Sequence, residues 1–353
     1  MSNVKTVLVT GGCGFIGARF VRHLLQHTDY RAVNLDKLTY AGDLERLRDV
    51  HSDARYQLVS GDIGDRQLVQ QLFEHERPWA VVNFAAESHV DRSILDPGLF
   101  LQTNVIGTQV LLEAARTCRV DRFVQVSTDE VYGDTEGREP SLEDSPLRAS
   151  SPYSASKAAA DLLCLAYRRT YDMPVLIVRS SNNYGSFQFP EKLIPLIIRN
   201  SLKRQELPVY GDGGQRRDWL HVDDSTRGFL DVLRAGRPGE IYNMGTGSLR
   251  TNIEIVREIC ALLARRAGLD LDGLLSHIRY VDDRPGHDRC YEMNTRKIRK
   301  ELGWTPEVTL DDGLEMTVQW YVDHQHWLEH VVSVDYQAYY DAVYARTWQQ
   351  KQS

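Results

Sequence analysis

Two pairs of residues in this sequence have the types and spacing needed for acid–base chemistry: Tyr153 with Lys157, and Asp129 with Glu130. Residues four apart project from one face of a helix, so the Tyr153 phenol and the Lys157 ammonium can share one site. A nearby ammonium stabilises a phenolate and lowers the pKa of the tyrosine. Adjacent carboxyls in a dry pocket repel each other as anions, which raises one pKa and keeps a proton available. The four residues therefore predict proton transfers at two centres.

A glycine-rich turn near the amino terminus gives these pairs a context, since either pair alone is more often a solvated surface feature. In "VLVTGGCGFIG" a strand turns into a helix whose amino end can hold a pyrophosphate. About 20 residues further on, Asp36 ends a second strand and can accept both ribose hydroxyls of an adenosine, which favours NAD over NADP. A turn needed only for helix packing would not explain this acid. The predicted cofactor contacts are Gly11, Gly14, Phe15, Ile16, Gly17, Asp36, Asp62, Ile63, Tyr153 and Lys157.

Short β-branched runs alternate with helical patterns through the first half of the chain. This alternation is typical of an α/β fold with a doubly wound parallel sheet, Rossmann-like, covered by helices on both faces. The third run ends at Asp62, which either contacts the adenine or caps the next helix. The predicted strands are TVLVT, AVNLD, YQLVSGD, WAVVNFAA, RFVQVST and VLIVRSS, and the predicted helices are 15–26, 99–118 and 153–171.

The regular alternation fades after Ser181 into segments rich in Gly, Pro, aromatic residues and positive charge. A second, smaller, mixed α/β domain for the substrate is expected there. Further helices are predicted at 222–233, 252–267, 295–302 and 310–330. The predicted organisation is a cofactor-binding domain at 1–181 completed by about 216–247, a substrate domain at 182–215 and 248–330, and a tail at 331–353.

The acid pair directly follows the predicted strand RFVQVST. Consecutive strand residues face opposite sides, so Asp129 and Glu130 can both meet one substrate only if the strand has already ended. The segment YGDTEG, which follows, is the predicted end. Ser127 or Thr128, at the end of the strand, would lie beside the pair.

Five segments together carry a family resemblance: "STDEVYG", "YSASKAAAD", "FAAESHVDRS", "SSNNYG" and "FPEKLIP". From about Lys5 to Tyr321 the chain resembles the nucleotide-sugar 4,6-dehydratases of the extended short-chain dehydrogenase/reductase superfamily, in particular those acting on dTDP-glucose. The resemblance implies oxidation of the sugar at C4, elimination of water across C5 and C6, and return of the hydride to C6. It implies that Thr128, Tyr153 and Lys157 serve the oxidation, with Glu130 as the base at C5 and Asp129 as the acid.

The same resemblance implies a set of residues that hold the nucleotide sugar. Arginine suits phosphate oxygens because its planar fork can donate two parallel hydrogen bonds. Two segments depart from the family pattern, with Ser186 and Phe187 in place of Pro and Tyr, and "RSSNN" in place of "NCSNN". The base, thymine or uracil, and the sugar, glucose or an N-acetylated relative, therefore stay open. The implied contacts are Ser88, Asn182, Asn183, Lys192, Arg217, Asn252, Arg284 and His287, and Tyr344 in the tail is a weaker match.

Composition limits the partners. The net charge of −7 gives no general attraction to nucleic acid or an anionic membrane, and no apolar stretch approaches the roughly 20 residues of a membrane span. The five cysteines are scattered without metal-ligand spacing, so reduced thiols, no metal and a cytoplasmic location are expected. The resemblance also implies a homodimer joined through helices near 99–118 and 153–171.

Three rival functions share parts of this pattern. The first is a 4,6-dehydratase acting on UDP-glucose or UDP-N-acetylglucosamine. The second is a sugar-nucleotide 4-epimerase or decarboxylase, which would share the C4 oxidation but leave Asp129 and Glu130 unexplained. The third is an NAD-sensing binding protein without turnover, against which Tyr153 and Lys157 argue.

Overall fold

A seven-stranded sheet forms the centre of the computed structural model, which describes residues 4–332; Tyr344 and the rest of 333–353 lie outside the described residues. Every pair of neighbouring strands in this sheet is parallel. The predicted doubly wound parallel sheet is thus confirmed. From edge to edge the strands are β3 (Tyr56–Ser60), β2 (Arg31–Asp36), β1 (Thr6–Thr10), β4 (Ala80–Asn83), β5 (Arg122–Thr128), β6 (Val175–Ser180) and β10 (Ile241–Met244).

Two smaller sheets belong to the later part of the chain, and with their helices they enclose a separate apolar core. One sheet has three strands and the other has two, which agrees with the predicted smaller mixed α/β part. Strand β10 nevertheless returns to the large sheet, so the chain crosses between the two parts. The small-sheet strands are β7 (Asn182–Tyr184), β8 (Leu207–Tyr210), β9 (Arg216–His221), β11 (Leu249–Thr251) and β12 (Ile278–Val281).

The segment 216–247, predicted to complete the first domain, is divided between the two parts. Its first strand, Arg216–His221, lies in the three-stranded sheet between Asn182–Tyr184 and Leu249–Thr251. The helix that follows, Val222–Ala235, packs against the first helix of the chain. We infer that the return to the cofactor-binding domain begins at this helix rather than at residue 216.

The helices follow the predicted apolar periodicity closely. Helix 252–267 has the predicted bounds because Thr251 and Glu254 form a capping box at its start and Gly268 takes a left-handed conformation at its end. The α-helices are α1 (Phe15–His27), α2 (Arg66–Glu76), α3 (Val90–Leu95), α4 (Pro97–Phe100), α5 (Thr108–Cys118), α6 (Pro152–Tyr171), α7 (Leu193–Leu202), α8 (Val222–Ala235), α9 (Asn252–Ala267), α10 (Leu271–Ser276), α11 (Arg296–Leu302), α12 (Leu310–Asp323) and α13 (Gln325–Val331).

Two predicted helices are interrupted. In 99–118, a π-helix at Leu101–Gly107 separates α4 from α5, and π-segments are frequent at functional sites. In 310–330, His324 separates α12 from α13, and its ring bonds the carbonyl of Trp320.

Candidate active site

A cavity of about 440 Å³ lies at the carboxyl ends of the parallel strands. Residues that follow β1, β2, β3, β4, β5 and β6 all contribute to its wall, as do residues of the smaller sheets. Ligands bind at this edge of open α/β sheets because the strand ends present loops and helix amino termini there. Within residues 4–332, every residue predicted to bind cofactor or substrate, and every predicted catalytic residue, lines this one cavity.

The glycine-rich turn leaves room for a pyrophosphate. Gly11 has φ of 67°, and a Cβ there would come within 2.7 Å of the backbone of Ala85. A Cβ on Gly17 would collide with the carbonyl oxygen of Gly11, whereas one on Gly14 would have only that oxygen nearby, at 3.2 Å. Helix α1 begins at this turn with no side-chain cap and no acidic residue in its first turn. Its free N–H groups and positive dipole end therefore suit an anion, as in dinucleotide sites.

Two acids predicted to contact the adenosine line the same cavity as this turn. The carboxylate of Asp36 accepts hydrogen bonds from the backbone N–H of Cys13 at 2.7 Å and of Leu38 at 2.8 Å, and it lines the cavity. Asp62 accepts from the N–H of Gly64 at 2.8 Å and pairs with Lys37 at 2.7 Å. The alternative prediction that Asp62 caps the next helix is wrong, because the side chain of Asp65 caps α2.

Helix α6 places Tyr153 and Lys157 in the cavity wall. A capping box between Ser151 and Ser154, with Pro152 at the first helical position, fixes the start of the helix one residue before Tyr153. Both functional side chains are buried, and Lys157 Nζ donates to the carbonyl of Val126 at 2.7 Å.

The electrostatics of this pair differ from the expectation based on spacing. Burial lowers the pKa of Lys157 to about 8, although the charge of Asp161 opposes the change. Burial also raises the pKa of Tyr153 well above its ordinary value, and the charge of Glu130 adds to this, while a hydrogen bond with Thr128 acts in the opposite direction. In the chain alone, therefore, the phenol is not a base near neutrality, and a lowering of its pKa by Lys157, a bound nicotinamide and the helix amino terminus together stays a prediction. A further positive charge is needed to make the phenol a base.

Strand β5 ends at Thr128, and Asp129–Tyr132 form a 3-10 turn. The strand has the predicted bounds, and the turn at Asp129–Tyr132, rather than the YGDTEG segment predicted to supply the ending, takes the chain out of the sheet before the first acid. Thr128 shapes the turn: its Oγ1 accepts from the N–H of Glu130 at 3.3 Å and donates to Asp129 Oδ1 at 3.1 Å. The turn allows both carboxyls to line the cavity, which consecutive strand residues could not do.

Both carboxyls of the pair are held away from water. Burial, followed by the charge of Glu130, raises the pKa of Asp129 to about 8, with Arg217 opposing the shift. Burial also raises the pKa of Glu130, but the charges of Arg284, Lys192 and Arg217 oppose it. Asp129 Oδ2 and Glu130 Oε2 are buried with no hydrogen-bond partner among residues 4–332. The raised pKa of Asp129 favours its protonated form near neutral pH, and each acid has one oxygen available to a ligand.

The predicted substrate contacts line the same cavity, and several of them already have protein partners. Lys192 Nζ donates to the carbonyl of Ser88 at 2.8 Å, and His287 pairs with Asp283 at 2.5 Å. Arg217 donates to the carbonyls of Arg216 and Asp288, both at 2.8 Å, and stacks on a tyrosine ring. The Arg217 guanidinium, which is predicted to bind phosphate, thus also donates hydrogen bonds to the backbone. The remaining predicted contacts, Asn182, Asn183, Asn252 and Arg284, line the cavity beside these.

Sequence reasoning missed two buried polar residues at the site. Asn104, in the π-helix, donates to Ser156 Oγ at 2.8 Å and to the carbonyl of Glu87 at 3.0 Å, and so joins the Ser88 loop to α6. Glu191 accepts from Tyr40 at 3.0 Å and from Arg92 at 3.3 Å, and it lines the cavity. A polar residue inside an apolar helical pattern was the available signal for Asn104, whereas Glu191 needed the folded partners.

Some broader features bear on the predicted partners. Within residues 4–332, no helix has the length and apolar character required to cross a membrane. The same residues include no group of three or more acidic, histidine or cysteine side chains placed to hold a metal ion. All five cysteines are free thiols.

Comparison with known proteins identifies relatives over most of the chain. A family model described as GDP-mannose 4,6 dehydratase matches residues 8–317. The dTDP-glucose 4,6-dehydratase of Xanthomonas campestris pv. campestris strain B100 is 51% identical over 343 residues, which cover 94% of this chain and 97% of that protein. The crystal structure of dTDP-glucose 4,6-dehydratase from Streptomyces venezuelae, with NAD bound, is 46% identical with a TM-score of 0.87, covering 92% of this chain and 99% of that one. That of Bacillus anthracis, in complex with NAD, is 42% identical with a TM-score of 0.85, covering 93% and 100%.

Proposed function

Because this chain belongs to the GDP-mannose 4,6-dehydratase family and, within it, to the dTDP-glucose 4,6-dehydratases, we propose that it converts dTDP-glucose to dTDP-4-keto-6-deoxyglucose and water. One observation carries the proposal. The acid pair Asp129–Glu130 and the pair Tyr153–Lys157 line one buried cavity that also receives the glycine-rich turn. An oxidation centre and an elimination centre are therefore close enough to act on one sugar.

The residues around the glycine-rich turn fit NAD. The open amino end of α1 would hold the pyrophosphate, and Asp36 would accept the ribose hydroxyls. Asp62 and Ile63 line the adenine side. NAD supplies a hydride acceptor that is oxidised again within each turnover and adds positive charge beside Tyr153. That charge supplies what the phenol lacks in the chain alone.

The oxidation at C4 needs a base for the hydroxyl proton. Thr128 and Tyr153 would hold the C4 hydroxyl, and the Tyr153 phenolate would take its proton. Lys157, charged below a pKa of about 8, stabilises that phenolate from one helical turn away. The ketone so formed acidifies the hydrogen on C5, which is otherwise scarcely acidic.

The elimination needs a base and an acid at the same pH. Glu130 would remove the proton from C5, and three cations act to keep its carboxylate ionised. Asp129, whose pKa is raised to about 8, would give its proton to the departing C6 hydroxyl. Each acid has one buried oxygen without a partner in the described part of the chain, which suits these roles. A 4-epimerase or a decarboxylase would have no use for this second centre.

The nucleotide diphosphate would lie against the cations of the second part. Arg217, Arg284, Lys192 and His287 supply positive or donor groups along this wall, with Asn182, Asn183 and Asn252 as further donors and Ser88 beside the sugar. Arginine pairs with phosphate oxygens through two donors at once. Because Nη1 and Nη2 of Arg217 each already donate to a carbonyl, the guanidinium would bind phosphate with its remaining N–H groups while fixing the loop that carries Asp288.

The test is direct assay of three sugar nucleotides. Purified protein is incubated separately with dTDP-glucose, UDP-glucose and UDP-N-acetylglucosamine, and the 4-keto-6-deoxy product is measured by mass spectrometry. The expected result is turnover of dTDP-glucose above the other two. With sugar deuterated at C4, the label should appear at C6. Loss of the label to solvent would contradict internal hydride return, and absence of product from all three substrates would contradict the function.

A homodimer is part of the proposal. The face predicted to join two subunits carries apolar side chains that are unusually exposed: Leu99 at 41%, Leu101 at 53%, Ile106 at 41% and Leu162 at 57%. Contiguous exposed apolar surface of this kind marks interaction sites. Light scattering should give twice the 40.3 kDa chain mass, and Leu162→Glu should reduce it to the monomer.

A cytoplasmic location is also proposed, supported by the free thiols, since secreted proteins commonly pair their cysteines. Cell fractionation against a periplasmic or secreted marker tests it. Recovery with that marker would contradict the proposal.

A further inference from the structure

A buried ion pair lies beneath the site without touching the cavity. Arg179, on β6, donates through Nε to Asp161 Oδ2 at 2.9 Å, and the two side chains are only 2% and 0% exposed. Removing both charges from water is costly, and an apolar pair of similar volume is often no less stable. Stability alone therefore gives a weak reason for this pair.

One arm of the pair reaches the oxidation centre. Asp161 lies on α6 one helical turn after Lys157, and its negative charge favours the charged form of the lysine against the effect of burial. Lys157 Nζ is itself held by the carbonyl of Val126, on the strand that ends at Thr128. Asp161 thus supplies an acidic charge beside an ammonium that burial would otherwise discharge.

The other arm reaches the elimination centre. Arg179 Nη1 donates to the hydroxyl of Tyr132 at 2.7 Å and to the carbonyl of Glu143 at 3.0 Å, and the guanidinium lies 4.8 Å from the centre of the Tyr132 ring. Tyr132 is the last residue of the 3-10 turn that begins with Asp129. Its hydroxyl in turn donates to Asn243 Oδ1 at 2.7 Å. The end of the acid-bearing turn is therefore fixed by the same guanidinium.

We infer that Arg179 is a positioning residue that keeps the two centres in register: through Asp161 it supports Lys157, and through Tyr132 it fixes the turn of Asp129 and Glu130. The inference rests on the proposed function, because it assigns the two arms to two successive steps of that reaction. Each arm can be cut separately. Asp161→Asn removes the charge and keeps the shape, whereas Tyr132→Phe removes only the hydroxyl.

The experiment follows the reduced nicotinamide during turnover of dTDP-glucose. Tyr132→Phe should slow elimination about tenfold while C4 oxidation stays within about twofold, so reduced nicotinamide builds up. Asp161→Asn should slow C4 oxidation about tenfold, so that step limits turnover and reduced nicotinamide falls below the wild-type level. Arg179→Met, which cuts both arms, should slow both steps. Incorporation of solvent deuterium at C5 measures the elimination centre independently.

Asp224→Asn is the matched control. Asp224 is 2% exposed and accepts from the N–H groups of Glu307 and Val308, but it lies on α8 away from the cavity. It should lower the melting temperature without changing the level of reduced nicotinamide. All variants are compared at a temperature where circular dichroism shows them folded.

Two outcomes would overturn the inference. In one, Asp161→Asn and Tyr132→Phe lower both steps in equal proportion, as a general loss of structure would. In the other, folded Arg179→Met retains wild-type rates. Both require wild-type protein that turns over dTDP-glucose, so they are distinct from failure of the proposed function, in which the wild type gives no product.

Discussion

The two regions proposed to be catalytic in this protein are built in different ways. Tyr153 and Lys157 lie on a regular helix whose start is fixed locally by Ser151, Pro152 and Ser154. Asp129 and Glu130 lie in a short turn that depends on Thr128 at one end and on distant contacts of Tyr132 at the other. The helix would present its pair in many contexts, whereas the turn presents its pair only inside the finished fold. The oxidation centre thus lies on a regular helix with local caps, whereas the elimination centre is held in place by tertiary contacts.

The two regions also differ in how burial acts on them. At the helix, burial discourages the charges that catalysis requires, since it raises the pKa of Tyr153 and lowers that of Lys157 to about 8. At the turn, burial produces the state that catalysis requires, because it keeps a proton on Asp129. The helix pair therefore depends on the charge of a bound cofactor, and the acid pair does not.

The largest effect should come from Tyr153→Phe, which removes the base of the first step. We expect C4 oxidation to fall about a thousandfold, and elimination to fall with it because the ketone is never formed. Stopped-flow absorbance of the reduced nicotinamide measures the first step. The control is Tyr167→Phe, on the same helix but bonded to Glu113. A residual rate above one-tenth of wild type, at roughly the normal cofactor content, would contradict the role.

Glu130→Gln should separate the two centres. We expect about a hundredfold loss of elimination, with C4 oxidation within about threefold of wild type, because Gln keeps the shape but cannot take a proton. Deuterium exchange at C5 and reduced nicotinamide are followed together. Glu136→Gln, in an exposed ion pair with Arg216, is the control. Equal loss of both steps would place Glu130 in the oxidation centre instead.

The pH dependence should give a smaller effect. Asp129, the proposed acid, must be protonated, so the rate of elimination should fall about tenfold per pH unit above its pKa of about 8. At lower pH the rate should fall again as Glu130, the proposed base, takes up a proton, because burial raises the pKa of Glu130. Lys157 also loses its proton near pH 8, but it acts on C4 oxidation. The two steps are therefore measured separately. Asp129→Glu should shift the pH at which the rate of elimination falls and leave unchanged the pH at which the rate of C4 oxidation falls. A shift in both would show that one titrating group controls both steps.

The smallest effect is on stability. The folded state raises the pKa of Asp129 from its ordinary value of 3.8 to about 8, so between these values the folded protein holds a proton that the unfolded chain has released. Stability from this group is lost as the pH rises through that window. Asp129→Asn should therefore raise the melting temperature at pH 8, by on the order of 2 °C, and by less at pH 5. A lower melting temperature at pH 8 would contradict the cost assigned to the buried carboxyl.

The contrast between the two regions also explains which elements and site residues could be predicted from the sequence. Strands β1 and β5 and helix α9 have the predicted bounds because apolar periodicity and caps are local signals. The glycine-rich turn, Asp36, Tyr153 and Lys157 were found by spacing along regular elements. The 3-10 turn after β5 was not, because it depends on a hydrogen bond between a side chain and the turn. The carbonyl contacts of Arg217 and the partners of Arg179 join segments far apart in the chain, and no local pattern records them.

The return of the chain to the large sheet as β10 limits how this enzyme could be divided or recombined. A fragment ending near Ser181 would lack β10, the strand that pairs with β6. Strand β6, whose residues are all buried in the whole chain, would then be an unpaired edge strand and a template for aggregation. The first half of the chain is therefore unsuitable for fusion to the substrate domain of another protein. To exchange substrate preference between relatives, the two segments of the smaller part that come before and after Val222–Met244 would have to be replaced. Val222–Met244 itself would have to be kept.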